Sequence, residues 1–394
     1  MDVFQKCREF TRAQEMRDAG MYQMFREIGS PQDPVVTIDG QKVIMLGSNN
    51  YLGLTSHPKV KEAAIAATRK YGTGCAGSRI LNGTLDVHVR LEERLANFMN
   101  RKTALVFSTG YGVNVGVLSC LLDRHDVAIL DKMDHASIID GVRLSYGKAL
   151  KFRHNDPDDL EKKLKLVPDG KGKLIVVDGV FSMEGDITPL PEIVKHKKTY
   201  GAGLFVDEAH SLGVFGEHGR GITEHFGLEE DVDLIMGTFS KSLATVGGFI
   251  TTDDLDVMDY IKHTARSQMF TAAIPPSAAA AVEAAVDILE AEPERRQQLW
   301  DNTNYMKREL EGLGFHTCGS QSPVIPLLTG DDIATYTMAN RLHEEGIFVN
   351  PVVTPAVPPG HGVIRTSYMA THKREHLDQA LGVIAKVGRE LAII

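Results

Sequence analysis

Short apolar runs alternate with segments of helical periodicity over most of this chain. The apolar runs are only about four residues long, which is typical of buried strands. The segments between them repeat their apolar residues every three or four positions, as one face of a helix does. The alternation predicts an α/β fold in which helices cover both faces of a mostly parallel sheet. The predicted strands are residues 104–107, 127–130, 174–177, 204–206, 234–236 and 248–251.

The amino-terminal part follows a different pattern. Residues 3–28 repeat their apolar positions at helical spacing, and the segment 30–34, with prolines at both Pro31 and Pro34, stops that pattern. An N-terminal helical arm is therefore predicted. Residues 35–38 and 42–45 flank an Asp-Gly pair and predict a hairpin.

The carboxyl-terminal part begins with a long helical stretch. Helical periodicity runs from Pro276 towards residue 313 and is broken near Pro293, and residues 315–394 then mix short strands with helices. We therefore predict three parts, which are the arm and hairpin (1–46), a large domain (47–285) and a smaller C-terminal α+β domain (286–394).

Two reactive side chains follow apolar runs of the large domain. Asp207, in the motif VDEAH, ends one predicted strand, and Lys241, in the motif GTFSKS, follows another. Ligands of open α/β sheets bind beyond the carboxyl ends of the strands, so the two groups can meet there. Either residue alone is more often an ordinary polar surface group. Together they indicate pyridoxal phosphate, because Lys241 can form a Schiff base with it and Asp207 can keep its pyridine nitrogen protonated.

A glycine-rich turn supplies a candidate phosphate site. The motif STGYG at residues 108–112 lies between a predicted strand and a predicted helix, and free N–H groups at a helix start bind phosphate. Gly110 lets the backbone approach the ligand, and the hydroxyls of Thr238 and Ser240 lie beside the lysine in sequence. Tyr111 fits either a ligand contact or a packing role.

Three further side chains are candidates whose roles the pattern leaves open. His135 is either a group that stacks on a planar ring or a structural histidine. His210 follows Asp207 by three residues and either contacts the cofactor's phenolic oxygen or caps the loop. Arg365 ends an apolar run, and its guanidinium suits a carboxylate, although surface pairing is the commoner fate of an arginine.

Composition narrows the function classes. A net charge of −9 without a long basic run gives no electrostatic footprint for nucleic acid and no polybasic membrane anchor. Four scattered cysteines and no apolar signal segment lead us to expect reduced thiols in a cytoplasmic protein. The fifteen histidines show no metal-ligand spacing, so no metal is expected.

Several ordered motifs resemble the α-oxoamine synthases, which are fold-type-I pyridoxal phosphate enzymes. The resemblance covers residues 46–370, and its motifs are SNNYLGL (48–54), GSRILNGT (77–84), HASI (135–138), FRHN (152–155), VDEAHS (206–211), GEHGRG (216–221), GTFSKS (237–242) and FTA (270–272). It implies a large domain with a seven-stranded, mostly parallel sheet and a homodimer with shared active sites.

The resemblance also implies residue roles. Lys241 is the Schiff-base lysine, Asp207 pairs with the pyridine nitrogen, His135 stacks on the ring, and His210 contacts the cofactor oxygen. Arg365 takes the amino-acid carboxylate. The other implied residues are Gly110, Tyr111, Thr238 and Ser240 at the phosphate, Thr271 and Ala272 at the neighbouring subunit's cofactor, and Asn50 and Ser78 at the substrate.

The implied reaction is a decarboxylating condensation of an amino acid with an acyl-CoA. The motifs around Lys241 and at 77–84 are most similar to the branch that joins L-serine to a long-chain acyl-CoA and gives 3-ketosphinganine; the alternative is a member that uses glycine or alanine. Some members of the serine branch carry an arginine in the loop before the carboxylate arginine, whereas residues 352–358 contain none. A lipid product makes contact with a membrane surface a further expectation.

Overall fold

The large sheet holds seven of the chain's apolar segments. The computed structural model describes residues 2–394. Its strands are β1 Val35–Ile38, β2 Gln41–Met45, β3 Thr103–Phe107, β4 Asp126–Asp131, β5 Lys148–Phe152, β6 Gly172–Asp178, β7 Gly203–Asp207, β8 Leu234–Thr238, β9 Gly248–Thr252, β10 Val324–Gly330, β11 Ile347–Phe348, β12 Asn350–Val352 and β13 Gly362–Ser367. The large sheet has the order β3-β9-β8-β7-β6-β4-β5, in which only β9 runs antiparallel to its neighbours.

Helices cover the large sheet and also form much of the C-terminal part of the molecule. Their bounds are α1 Gln5–Arg8, α2 Arg12–Asp18, α3 Pro58–Tyr71, α4 Asp86–Phe98, α5 Gly110–Leu121, α6 Ala136–Leu144, α7 Pro157–Lys165, α8 Leu190–Tyr200, α9 Ile222–His225, α10 Leu255–Thr264, α11 Arg266–Met269, α12 Pro276–Ala291, α13 Glu294–Gly312, α14 Asp332–Glu344 and α15 Arg374–Glu390.

Successive residues of the central strands enter two different cores. On β7 the side chain of Phe205 packs into one core and that of Val206 into the other, and both are fully buried. Phe249 and Ile250 of β9 divide in the same way. Because neighbouring strand residues point to opposite faces, burial on both faces requires uninterrupted apolar runs. This explains why the six predicted strands are all confirmed.

The seventh strand, β5, was not predicted from its own sequence. It lies at the edge of the sheet, where it pairs only with β4, and its residues Lys148 and Lys151 are exposed. An edge strand needs few apolar residues and gains solubility from lysine. The seven-stranded sheet that the family resemblance implied is nevertheless confirmed.

The N-terminal arm departs from its prediction. Residues 3–28 form two short helices, α1 and α2, and most of the remainder has no regular structure. Neither helix contains a buried residue, and a helix so short is marginal in water when no buried face supports it. The hairpin is confirmed as β1 and β2, which pair antiparallel from Val35↔Ile44 to Ile38↔Gln41.

A third core forms the C-terminal part of the molecule. It contains α13, α14, α15 and the antiparallel sheet β10-β13-β12. Strand β2 also contributes, since it pairs in parallel with β11 and places Ile44 in this core. Helix α12 instead packs in the core of the large domain. The domain limits at residues 46 and 285 stay a prediction.

Among residues 2–394, no helix combines the length and apolar character needed to cross a bilayer. No three His, Cys, Asp or Glu side chains come together as metal ligands in this part of the chain.

Candidate active site

The site lies where four strands of the large sheet end. Asp131, Asp178, Asp207 and Thr238 are the last residues of β4, β6, β7 and β8. Because these strands are parallel, their carboxyl ends share one edge of the sheet. The edge therefore gathers groups that are far apart in sequence.

Two cavities meet above this edge. The inner cavity has a volume of about 300 Å³ and the outer cavity about 710 Å³, and both are lined by Lys241, His135 and His210. A larger groove of about 1080 Å³ beside α13 contains none of the predicted site residues. The predicted residues that line the inner cavity are Gly110, Tyr111, His135, Asp207, His210, Thr238, Ser240 and Lys241.

Asp207 is held firmly at the floor of the inner cavity. Its side chain is 3% exposed. The Asn114 amide donates a hydrogen bond of 2.7 Å to Oδ2, and the Ala209 N–H donates one of 2.9 Å to Oδ1. A buried carboxylate of this kind is suited to a cationic N–H partner.

His135 caps helix α6 at the wall of both cavities. Its main-chain N–H donates to Asp178 Oδ2 at 2.7 Å, and its Nδ1 lies 2.7 Å from the Ser137 hydroxyl. Burial lowers the pKa of His135, the charge of Asp207 raises it, and the charge of Lys241 lowers it, with a net downward shift. The ring is therefore neutral at neutral pH.

The loop between β8 and β9 presents Lys241 to both cavities. Phe239 anchors this loop in the core, where its ring stacks on Phe249 at 5.7 Å between centroids. The Phe239 N–H and the Gly247 carbonyl also bond at 3.0 Å. Burial lowers the pKa of Lys241 to about 8, although the nearby charges of Asp207 and Asp178 oppose the shift. The amine is thus unusually easy to deprotonate.

The start of α5 and the end of β8 form a polar cradle. The Thr109 hydroxyl accepts the Gly112 N–H at 2.9 Å and caps the helix, and the hydroxyls of Thr238 and Ser240 lie 3.0 Å apart. A Cβ atom on Gly110 would lie only 2.5 Å from Thr238 Oγ1. Gly110 thereby allows the close approach of helix and strand that the cradle needs. Tyr111 is half exposed and bonds to Asp140 through its hydroxyl.

The inner cavity fits pyridoxal phosphate. A fixed carboxylate, Asp207, suits the pyridine nitrogen, and the hydroxyls and helix N–H groups at Thr238 and Gly110 suit a phosphate. The Lys241 amine lines the same cavity, which lies at the small end of the volumes that ligands occupy, roughly 300–1,000 Å³.

His210 pairs with a tyrosine at the wall shared by the two cavities. Its Nδ1 lies 2.7 Å from the Tyr51 hydroxyl, and both side chains are buried. Burial lowers the pKa of His210 well below its usual value, with further lowering by the charges of Lys241 and Arg365. His210 is consequently a neutral hydrogen-bonding group.

Arg365 enters the outer cavity from β13 without an acidic partner. Its nitrogens donate to the Ser182 carbonyl at 2.6 Å, the Ser367 hydroxyl at 3.0 Å and Asn49 Oδ1 at 3.0 Å. All three of these partners are neutral, and the side chain is only 5% exposed. A buried, unpaired guanidinium is a natural binding site for an anionic ligand.

The structure does not bring Asn50 into the site. Its amide donates to the Gln32 carbonyl and to Thr55, and its Oδ1 accepts the Leu54 N–H, so the side chain ties its own loop together. The preceding residue, Asn49, is the one that contacts Arg365. Asn49 thus lines the outer cavity where Asn50 does not, and the substrate role of Asn50 stays a prediction.

Three other predicted residues lie outside both cavities. Ser78 forms an isolated bridge with Ala272, and Thr271 and Ala272 are exposed. These residues therefore do not line the cavities of their own chain, and their roles stay a prediction.

Sequence reasoning missed Asn114, Asn49 and Asp178. Asp178 ends an apolar run just as Asp207 does, and that signal was present in the sequence. Asn114 interrupts the apolar helix α5 one turn after Gly110, which marks it as a buried polar group that needs a partner. Nothing in the sequence pairs Asn49 with Arg365.

His154, in the FRHN motif, supports the carboxylates behind the site. Its two ring nitrogens lie 2.9 Å from Asp131 and from Asp186. Burial lowers the pKa of His154, but the hydrogen bonds to the two carboxylates outweigh it and raise the pKa to about 10. The imidazolium thus balances part of the negative charge beneath the sheet edge.

Comparison with known proteins identifies the family. The family model described as aminotransferase class I and II matches residues 41–384. The chain belongs to this family. Within it, the chain is 50% identical to serine palmitoyltransferase of Sphingobacterium spiritivorum over 99% of its own length and 97% of the relative. It is 44% identical to 8-amino-7-oxononanoate synthase of Symbiobacterium thermophilum, with 96% and 97% covered.

The fold of this chain is similar to that of a solved structure. A high-resolution structure of serine palmitoyltransferase with pyridoxal phosphate has a TM-score of 0.96 and 36% identity, and each chain is covered completely. The similarity confirms the fold-type-I architecture and the predicted resemblance to the α-oxoamine synthases.

We predict that the Lys241 amine titrates near pH 8. In protein freed of cofactor, the rate at which acetic anhydride modifies Lys241 should rise with pH and level off above that midpoint, as followed by peptide mass spectrometry. Lys165, whose pKa is raised by its bond to Glu161, should level off only at higher pH. Asp207→Asn should move the Lys241 midpoint down, because it removes a charge that favours the ammonium. Equal midpoints for the two lysines would contradict the prediction.

Proposed function

We propose that this chain is a pyridoxal phosphate-dependent serine palmitoyltransferase. It condenses L-serine with palmitoyl-CoA and releases 3-ketosphinganine, coenzyme A and carbon dioxide. The observation that carries the proposal is the convergence of Lys241, Asp207 and Arg365 on two joined cavities, in a chain that shares half its residues with such an enzyme.

The inner cavity holds the cofactor. When bound, pyridoxal phosphate supplies an electron sink for the carbanion at the α-carbon of the amino acid. Asp207 keeps the pyridine nitrogen protonated, and its hydrogen bonds from Asn114 and Ala209 hold it in place for that task. Thr238, Ser240 and the first N–H groups of α5 would hold the phosphate, and the neutral His135 ring would form one wall of the cofactor site.

Arg365 binds the carboxylate of the amino acid. Its neutral hydrogen-bond partners fix the guanidinium without neutralising its charge, so an incoming carboxylate is the first full counter-charge it meets. Because residues 352–358 contain no arginine, Arg365 carries this task without help from that loop. Asn49 keeps one side of the guanidinium aligned.

Lys241 Nζ accepts the α-proton. A general base works best when its pKa lies near the working pH, and burial brings the pKa of Lys241 to about 8. The negative charge of Asp207 favours the resulting ammonium in this buried position. With the cofactor bound, the α-carbon would bond to the thioester carbon as the C–S bond breaks and coenzyme A leaves. The carboxylate held by Arg365 would then be lost as carbon dioxide.

Partner subunits complete the site in this proposal. Thr271 is exposed beside a patch of apolar side chains that water also reaches, in which Leu81 is 80% and Phe270 is 72% exposed. The bridge between Ser78 and Ala272 joins the two segments that carry this patch. Large exposed apolar side chains on adjacent segments are typical of an interface, and in this proposal a homodimer covers them.

Our first functional prediction concerns the substrates. Holoenzyme given palmitoyl-CoA should release coenzyme A and form the long-chain amino ketone with L-serine, and much less with glycine or alanine. Free thiol and the ketone mass are the two readouts, and Lys241→Ala should lower the rate by at least ~10²-fold because it removes the base. Release only with glycine or alanine, or only with a short acyl-CoA, would retain the family and reject the serine substrate.

A second prediction concerns Arg365. Arg365→Lys should raise the KM for serine by about 10- to 100-fold, because a charge-assisted hydrogen bond is worth roughly 1.5–3 kcal/mol and an ammonium cannot reproduce the guanidinium fork. Cofactor absorbance should be retained. Arg341→Lys, in a surface ion-pair cluster, is the matched control and should leave the KM unchanged. A serine KM within twofold of the unaltered enzyme would reject this role.

A third prediction concerns assembly. Phe270→Asp should shift the holoenzyme from dimer to monomer in sedimentation velocity, because it places a charge in the apolar patch. Phe25→Asp, at a residue that is 94% exposed and away from that patch, should leave the dimer intact. The same mass for both variants and for the unaltered chain would reject the proposed interface.

A further inference from the structure

The outer cavity has a wall that the proposed reaction has not yet used. Residues 10–24, here called the roof, contribute Phe10, Ala13, Met16 and Met24 to its lining. Phe10 is 64% and Met24 is 49% exposed. Apolar side chains that line a cavity but remain exposed to water favour the binding of an apolar ligand, because the ligand removes their surface from water.

Helix α2 of the roof has two distinct faces. Ala13 and Met16 are three residues apart and half buried, and they point to the cavity together with Arg12. Gln14 and Asp18 lie on the opposite face and bond to each other at 2.8 Å in solvent. The helix thus presents the apolar side chains of Ala13 and Met16 to the cavity and the polar pair Gln14 and Asp18 to solvent.

Polar contacts fix the roof over the cavity. The Asn340 amide of α14 donates to the Gly20 carbonyl at 2.7 Å, and Arg26 Nη1 lies 2.7 Å from His343 Nδ1 of the same helix. At the other end, Arg12 donates to the Thr354 carbonyl at 3.3 Å. These bonds tie the segment to the C-terminal core and to the loop after β12, so its position is specified.

The outer cavity opens directly onto the reacting groups. Lys241, His135 and Arg365 line one part of it, and the roof lines another part. A substrate whose reacting carbon lies at Lys241 and which carries a long apolar tail can therefore place that tail under the roof. The coenzyme A arm fits less well, because its several phosphates would meet Arg12 as the one cation that the roof adds to this lining.

We propose that the roof binds the acyl chain of the thioester substrate and sets the preferred chain length, with Ala13 and Met16 as specificity-determining residues. The identity of the chain as part of a thioester rests on the proposed function. The binding of a long apolar chain does not.

The test uses holoenzyme and acyl-CoAs from ten to eighteen carbons with L-serine. Ala13→Trp should lower the ratio of kcat/KM for palmitoyl-CoA to that for decanoyl-CoA by more than about tenfold, since each buried methylene is worth ~0.8 kcal/mol, or about fourfold. Met16→Ala should shift the preference the other way, towards eighteen carbons. Gln14→Trp adds the same side chain to the solvent face and should leave the profile unchanged.

A binding measurement separates this inference from the proposed function. Hexadecanoic and decanoic acid should displace fluorescent cis-parinaric acid from the holoenzyme with different affinities, and Ala13→Trp should remove most of that difference. If the chain-length effect is seen in binding but no amino acid yields ketone, the roof inference stands and the proposed function fails. Two outcomes would overturn the inference. One is an equal loss of kcat/KM for every chain length in Ala13→Trp and Met16→Ala, and the other is the same shift in chain-length preference in Gln14→Trp. A loss of affinity for free coenzyme A instead would assign the cavity to the coenzyme.

Discussion

Asp178 and Asp207 face each other in register at the ends of β6 and β7, and both are buried. Two adjacent carboxylates cannot both stay charged in such a place without compensation. Burial, followed by the charge of Asp207, raises the pKa of Asp178 well above its usual value. Asp178 therefore takes up a proton more readily than an ordinary carboxyl group does, whereas Asp207 is held at the cavity by two hydrogen-bond donors.

The other charged groups of the site are arranged around this pair. Burial disfavours the Lys241 ammonium, whereas the nearby carboxyl groups of Asp207 and Asp178 favour it. The pKa of Lys241 is therefore lowered only to about 8. The histidines that line the cavities, His135 and His210, are both neutral. Arg365 is held by neutral hydrogen-bond partners only. Burial and neighbouring charges thus set the pKa values of Asp178, Lys241 and the two histidines together.

The parts of this arrangement that come from strand ends could be predicted from sequence. An apolar run buried on two faces is unmistakable, and a polar residue at its end falls at a known edge of the sheet, which located Asp207, Thr238 and the lysine loop. The edge strand β5 and the short helices of the arm lack a two-sided core, so local pattern carried too little information for them. Asn49 and Asn50 differ only in which neighbour they meet across the fold, and no local rule separates them.

The pairing of β2 with β11 joins segments that are synthesised far apart in time. Strand β2 pairs with β1 on one edge, but its other edge pairs with β11, where Ile44 lies opposite Ile347. That edge therefore stays unpaired while about three hundred residues are synthesised. During that interval the cofactor sheet, complete at Thr252, can already close around its own helices. Every buried partner of Ile44 in its core except Leu46 comes from residue 306 onwards, and the cluster of Val36, Ile38, Val43 and Met45 is completed only by Met369. During synthesis the β1–β2 hairpin is therefore the segment most open to non-native association. This holds in the interval after the large sheet is made and before the C-terminal core exists.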